Sequence, residues 1–350
     1  MKVVRSALIC TTLFATSWLI LGLVAFALLF SLRIPLVEEM YSSGNTIYNY
    51  TVFSPCKRFN NHISKDYFLK EDSEHHFQEV YFNSRNSTTE ENGLVHGYLL
   101  THSNTSTRPA IVVVHGFRVS VKFWGPLIAS NMLFLNGYDV LSISVRNHGK
   151  SFRTKSVTTT YGHAEHLDAL GAFDFLNKMN SSRPIAISGA SMGGATSLVA
   201  FAKEEGFKAA FLDSPVCDPV DLMTYHYGSI AEFLKPFIIN GVYSVSKILP
   251  SLGTLPPFKD SPSEAASTIG NQRPIYFDHA ISDTLVPLEH SKKCAKLASA
   301  SGANVTEYYV DLKASEPDSS CPDHCLTSID DSKDFEKRIV QFFKEHMPLE

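Results

Sequence analysis

Nowhere in its 350 residues does the chain gather lysine and arginine into a basic stripe, and 31 basic against 35 acidic side chains leave a formal net charge of -4. A nucleic-acid binder draws much of its affinity from neutralised phosphates, so this balance argues against one. Internal repeats, blocks of like charge and low-complexity tracts are also missing, so a single domain suffices for the globular part. Cysteine is sparse, at six, and never falls into two ligand pairs. Cys321-Pro-Asp-His-Cys325 offers metal ligands without a second pair to complete a tetrahedral site, so no metal or cofactor is expected. Charge is absent altogether from residues 7–30, a run of 24.

Crossing a bilayer takes roughly 20 apolar residues and a secretory signal core roughly 7–15, so residues 1–32 read as an N-terminal signal-anchor, a transmembrane helix. Lys2 and Arg5 precede the run, whereas Arg33 is soon followed by Glu38 and Glu39. The positive-inside bias puts the N-terminus in the cytosol and the rest of the chain across the membrane. Ala25-Phe26-Ala27 keeps a rival open, a long signal peptide cleaved from a secreted product. On either reading the remainder is lumenal or extracellular. Five Asn-x-Ser/Thr sequons, at Asn49, Asn86, Asn104, Asn180 and Asn304, are N-glycosylation candidates there. Cys10 lies in the span, and Cys56, Cys217, Cys294, Cys321 and Cys325 lie beyond it. That odd number leaves at least one thiol unpaired; a small loop closed by Cys321 and Cys325 and pairing with distant partners both stay open.

Residues 33–74 are polar and aromatic without a clear period, a linker lifting the globular part off the membrane. Residues 75–350 read as one α/β domain, and a chain with 44% hydrophobic residues can bury its core. Residues 77–82 and 94–100 are predicted strands joined by a polar loop ending at the turn signal Asn92-Gly93, an antiparallel hairpin at a sheet edge. The β-branched run at 110–117 predicts a strand buried on both faces, and 138–145 predicts another. Helical spacing over 122–136 makes that pair parallel. A second helix is predicted over about 162–179, with Leu167, Leu170, Phe173 and Leu176 at helical spacing, ahead of a strand ending near Ser191. Residues 209–213, 274–279 and 305–312 continue the strands, and 335–343 closes with a helix. Between about 214 and 270 the alternation stops. Its aromatic-rich part, 222–249, with Tyr225, Tyr227, Phe233, Phe237 and Tyr243, reads as a helical lid or as an extra helix pair packed on the core.

The strand before Ser191 runs directly into helix-compatible residues. Such a sharp turn forces its serine into a strained backbone, and side chains two positions to either side would strike the neighbouring strand and helix. Gly189 and Gly193 stand at those positions, making Ser191 the candidate nucleophile of an elbow. A serine hydroxyl needs a base, and the base needs an acid to orient it. In this architecture the order along the chain is nucleophile, acid, histidine. Asp283, just past a buried strand, and His324, between the last strand and the closing helix, complete a candidate catalytic triad in that order. Asp278 and His279 are rivals inside the strand itself, where a histidine is more often a hydrogen-bonded core residue. His115 comes too early in the chain and reads as structural, and His148 reads as a loop residue. An oxyanion needs two backbone N–H donors, here assigned to Phe117 and Met192.

Taken together, His115-Gly116-Phe117, Arg146-Asn147-His148-Gly149-Lys150-Ser151, Gly189-Ala190-Ser191-Met192-Gly193, Asp283 through Val286-Pro287, and His324 resemble the α/β-hydrolase superfamily of serine hydrolases. The resemblance covers about residues 77–343. Its closest flavour is the membrane-anchored and bacterial esterase-like or peptidase-like branch. It implies a mostly parallel central sheet with helices on both faces, a helical lid insertion, and cleavage of an ester, thioester or amide through an acyl-enzyme. With the anchor and the aromatic segment, it implies a small-molecule or lipid acyl substrate. A peptidase or acyltransferase using the same triad, or a non-catalytic binding protein of this fold, are the alternatives. Two positions depart from the family's pattern. His279-Ala280 stands where His-Gly is common before the acid turn, and Ser144 stands where an Asp commonly precedes the Arg-x-x-Gly-x-Ser loop.

Overall fold

The computed structural model describes residues 17, 76–85, 93–103, 107–121, 124–154, 159–222, 225–226, 261–312 and 323–349. Apart from residue 17, the expected signal-anchor and linker lie outside the described residues, as do most of the lid segment, Asn49, Asn86 and Asn104. Among the described residues no helix is long and apolar enough to cross a membrane.

Eight strands make one sheet in the order β1-β2-β4-β3-β5-β6-β7-β8. The hairpin of β1 (His76–Asn83) and β2 (Leu94–Thr101) is antiparallel, and β2 also meets β4 (Asp139–Ser144) antiparallel. From there the pairing is parallel through β3 (Ala110–Val114), β5 (Ile185–Ala190), β6 (Phe207–Asp213), β7 (Pro274–Ala280) and β8 (Asn304–Val310). Every residue of β3 and β4 is buried, which is why β3 runs apolar without alternating, while β4 also buries Asp139, Ser142 and Ser144. Along β3 successive side chains still go to opposite faces. Ile111 and Val113 pack with α1 (Trp124–Leu135), α6 (Thr327–Asp330) and α7 (Ser332–His346), through residues such as Met132, Phe134, Ile329 and Phe343. Val112 and Val114 pack toward α2 (His166–Met179), α3 (Met192–Lys203) and α5 (Glu289–Ala300), through Leu170, Leu198, Phe201 and Cys294.

The predicted strands and the first, second, post-elbow and closing helices are present with ends shifted by a few residues. Three helices were not expected, among them the short α6 after His324. α4 (Pro262–Ala266) starts where the Ser261 side chain accepts from the Glu264 N–H, with proline in the first turn. α5 buries His290, Ser291, Cys294, Ala295 and Ala298, a face too small and polar to register as a hydrophobic stripe.

α5 also carries a cross-link. Cys217, just after β6, forms a disulfide with Cys294 across 77 residues, and both are fully buried. The cysteine expectation is corrected at one point: Cys325 is a free, buried thiol and closes no loop with Cys321. Since α4 packs on α5, the residues entering and leaving the 223–260 segment both meet that helix. Cys217→Ser is expected to cost about 2–5 kcal/mol by releasing chain entropy to the unfolded state. A urea midpoint below the wild type's under non-reducing conditions, with the gap closed by reductant, checks it.

Candidate active site

The turn from β5 into α3 places Ser191 at φ 58°, ψ −120°, a left-handed backbone that costs a serine about 1–3 kcal/mol. Neighbouring backbone holds it there: its N–H donates to the Asp213 carbonyl at 2.8 Å, and its carbonyl accepts from Ala195 N at 3.0 Å. A Cβ on Gly189 would lie 2.3 Å from Gly193 O, and one on Gly193 would lie 2.3 Å from Val114 O. The two glycines are thus demanded by the close approach of strand, turn and helix. Gly116, at the end of the β3 turn, backs onto Ser191, its own Cβ position 3.4 Å from the serine Cβ. Phe117 follows Gly116 directly, and Met192 follows Ser191 directly. The Phe117 ring stacks on Tyr161 with centroids 5.4 Å apart.

His115 is committed to the backbone. The Val145 N–H donates to its Nε2 at 3.1 Å, so Nδ1 carries the hydrogen given to Gly116 O at 2.6 Å. Burial, with His148 beside it, pushes this imidazole down to about 3 and keeps it neutral. Asp278 likewise goes elsewhere, accepting from Arg338 Nε at 2.8 Å on the α7 side of the sheet.

Asp283 follows β7 in a tight turn that accepts at one carboxylate oxygen from two of its own amides, Leu285 at 2.8 Å and Val286 at 2.9 Å. The other oxygen accepts from His324 Nδ1 at 2.7 Å. Burial opposes the charge, yet His324 and a hydrogen bond from His279 outweigh it and hold the carboxyl well below the usual carboxylate range. Because Nδ1 gives its hydrogen to a carboxylate, His324 Nε2 presents a lone pair. That nitrogen lies 3.4 Å from Cys325 Sγ. Among the described residues no hydrogen bond joins the Ser191 hydroxyl to His324.

Behind the elbow, Asp213, Cys325, Ser188, Gly189 and Ala190 line a small cavity of about 30 Å³. The Ser214 hydroxyl donates to Asp213 at 2.9 Å. Burial and then the nearby Asp278 push the Asp213 carboxyl up to about 7, and burial raises the Cys325 thiol far above its ordinary value. Sequence reasoning took Asp213 only as a strand residue and weighed Cys325 only as a disulfide partner or metal ligand. Among the described residues no three His, Cys, Asp or Glu side chains are grouped to hold a metal. Of the two described sequons, Asn304 is exposed at the start of β8 and Asn180 is half-buried after α2.

Residues 109–236 match the family model of the alpha/beta hydrolase fold, and they hold the β3 turn, the elbow and β6. The chain is an α/β-hydrolase-fold protein. No curated protein matches it in sequence. Solved structures that share the α/β-hydrolase fold with it include the Pyrococcus furiosus esterase Pf2001, at a TM-score of 0.57 and 19% identity over 78% of this chain and 93% of that one. The acylaminoacyl peptidase of Pyrococcus horikoshii gives 0.54 and 17%, over 79% of this chain but only 42% of the peptidase. Est1E from Butyrivibrio proteoclasticus, solved with ferulic acid bound, gives 0.52 and 16%, over 76% and 98%. At such identities the likeness is one of fold.

Proposed function

We propose that this α/β-hydrolase-fold protein is a serine hydrolase that cleaves a carboxylic ester, thioester or amide through an acyl-enzyme. Ser191 is the nucleophile, His324 the base and Asp283 the acid that orients it. The observation carrying this reading is the 2.7 Å hydrogen bond from His324 Nδ1 to Asp283, in a chain whose Ser191 sits in a strained elbow. His324 Nε2 takes the Ser191 proton as Oγ attacks the carbonyl carbon, and the oxyanion forms against the amides of Phe117 and Met192. The imidazolium then hands its proton to the leaving group, and water repeats the sequence to free the enzyme.

An esterase-type activity on a small-molecule or lipid acyl substrate is the form we favour. Pf2001 is named an esterase and is matched over 93% of its length, whereas the peptidase is matched over 42%. The charge-free run at 7–30 and the sequons support an anchored enzyme whose catalytic part faces the lumen or exterior. The buried Cys217–Cys294 disulfide fits that oxidising side. A fluorophosphonate probe tests the reading on the detergent-solubilised full chain, followed by p-nitrophenyl esters of graded chain length. Labelling is expected in the wild type and absent in Ser191→Ala. A folded wild type that takes no label would instead be a binding protein on the same scaffold.

A further inference from the structure

Side chains of β7 alternate between the two faces of the sheet, so Asp278 goes toward α7 while His279 goes toward α5. His279 is fully buried. Its Nε2 lies 2.9 Å from the Val286 carbonyl and 3.2 Å from Asp283 Oδ2. Both of those atoms accept, so Nε2 carries a hydrogen. On the other side of the ring, Nδ1 meets the Ser291 hydroxyl of α5 at 2.6 Å. With both nitrogens engaged, the imidazole is fixed in rotation.

That arrangement bears on the acid. Asp283 Oδ2 receives His324 Nδ1 at 2.7 Å as well as His279, while Oδ1 is filled by the Leu285 and Val286 amides. Two imidazoles therefore converge on one carboxylate oxygen, and only His324 lies beside the free thiol of Cys325. We propose that His279 is a positioning residue for the hydrolysis, anchoring the Asp283 oxygen that orients His324. It touches no reacting atom and acts through Asp283. The inference rests on the reading of Ser191, Asp283 and His324 given above.

A fixed oxygen keeps the His324 ring aimed along one line; a carboxylate free to turn lets that aim wander. Sharing the oxygen also draws part of its charge away from His324. Removing His279 should therefore lower kcat while moving the acid limb of kcat/KM to higher pH, because Asp283 then stabilises the His324 imidazolium undiluted. The other ionisable groups around this pair are Asp213, Asp278 and the Cys325 thiol, with His290 of α5 facing His279.

The test uses the full chain and His279→Leu beside His279→Gln, which keeps an N–H donor. His279→Leu is expected to lose about tenfold or more in kcat with KM within about twofold, and to shift the acid limb upward. His279→Gln is expected to stay within about threefold of the wild type, with its limb near the wild-type position. A folded His279→Leu with wild-type kcat and acid limb overturns the proposal, and so do equal losses in the two variants, which would make the role one of packing. Should His279→Leu fail to fold, Ser291→Ala frees Nδ1 and leaves β7 packed; a smaller upward shift of the limb supports the proposal and an unmoved limb overturns it. A wild type that refuses the fluorophosphonate label overturns the hydrolase reading first, and this inference with it.

Discussion

Alanine at either Ser191 or His324 is expected to lower kcat/KM for an activated ester by about 10,000-fold or more, and the double variant should be no worse than either single one. Nucleophile and base act as one unit. Without the imidazole the hydroxyl keeps its proton, and without the hydroxyl the lone pair on Nε2 has nothing to activate. What activity is left should come from the Phe117 and Met192 amides and from substrate binding alone. Steady-state kinetics on the purified single and double variants check it. Losses that multiply in the double variant, or a His324→Ala enzyme within about tenfold of the wild type, would dismiss the proposed pairing. Ser191→Ala should not much affect folding, because Ser191 contributes its backbone rather than its hydroxyl to the elbow, whereas His324→Ala removes a donor from the buried Asp283 carboxylate and is expected to lower the urea midpoint.

The second large effect is expected from Gly193→Ala, which should prevent folding or cost more than about 4 kcal/mol. The added methyl would sit 2.3 Å from Val114 O and 2.4 Å from His115 O. Those are main-chain atoms at the end of β3, a strand held by β4 on one side and β5 on the other, so they have nowhere to retreat. Relief requires α3 to back away from the sheet, and α3 brings Leu198 and Phe201 to the core. Soluble yield and a urea unfolding curve measure the outcome. A variant with the wild-type midpoint would mean that the elbow tolerates a gap between strand and helix that the present packing does not contain.

The elbow was legible because its steric demands fall on neighbours in sequence: Gly189, Ser191 and Gly193 are two residues apart and two glycines are all it asks. β3 was legible because burial on both faces writes an unbroken apolar run. Elsewhere the information sits across the chain. α5 escaped notice because Cys294, Ala295 and Ala298 make contact without bulk, and its disulfide partner lies 77 residues away. The second helix begins at His166 rather than near 162, because Glu165 turns its carboxylate back onto Thr160 and the Gly162 N–H, and Gly162 itself adopts φ 99°. Asp283 and His324 were placed by their order along the chain. Their hydrogen bond, and the second imidazole on the same oxygen, depend on a turn and a helix that no local pattern announces.

Four connections supply the proposed machinery, the turns after β3, β5 and β7 and the loop after β8, and they are made at different times. During synthesis the elbow serine emerges well before its base, for His324 follows it by 133 positions and lies beyond β8. At the pace of a ribosome that interval is on the order of ten seconds. Until the residues after β8 have emerged, the growing chain lacks the imidazole proposed here as the base for Ser191.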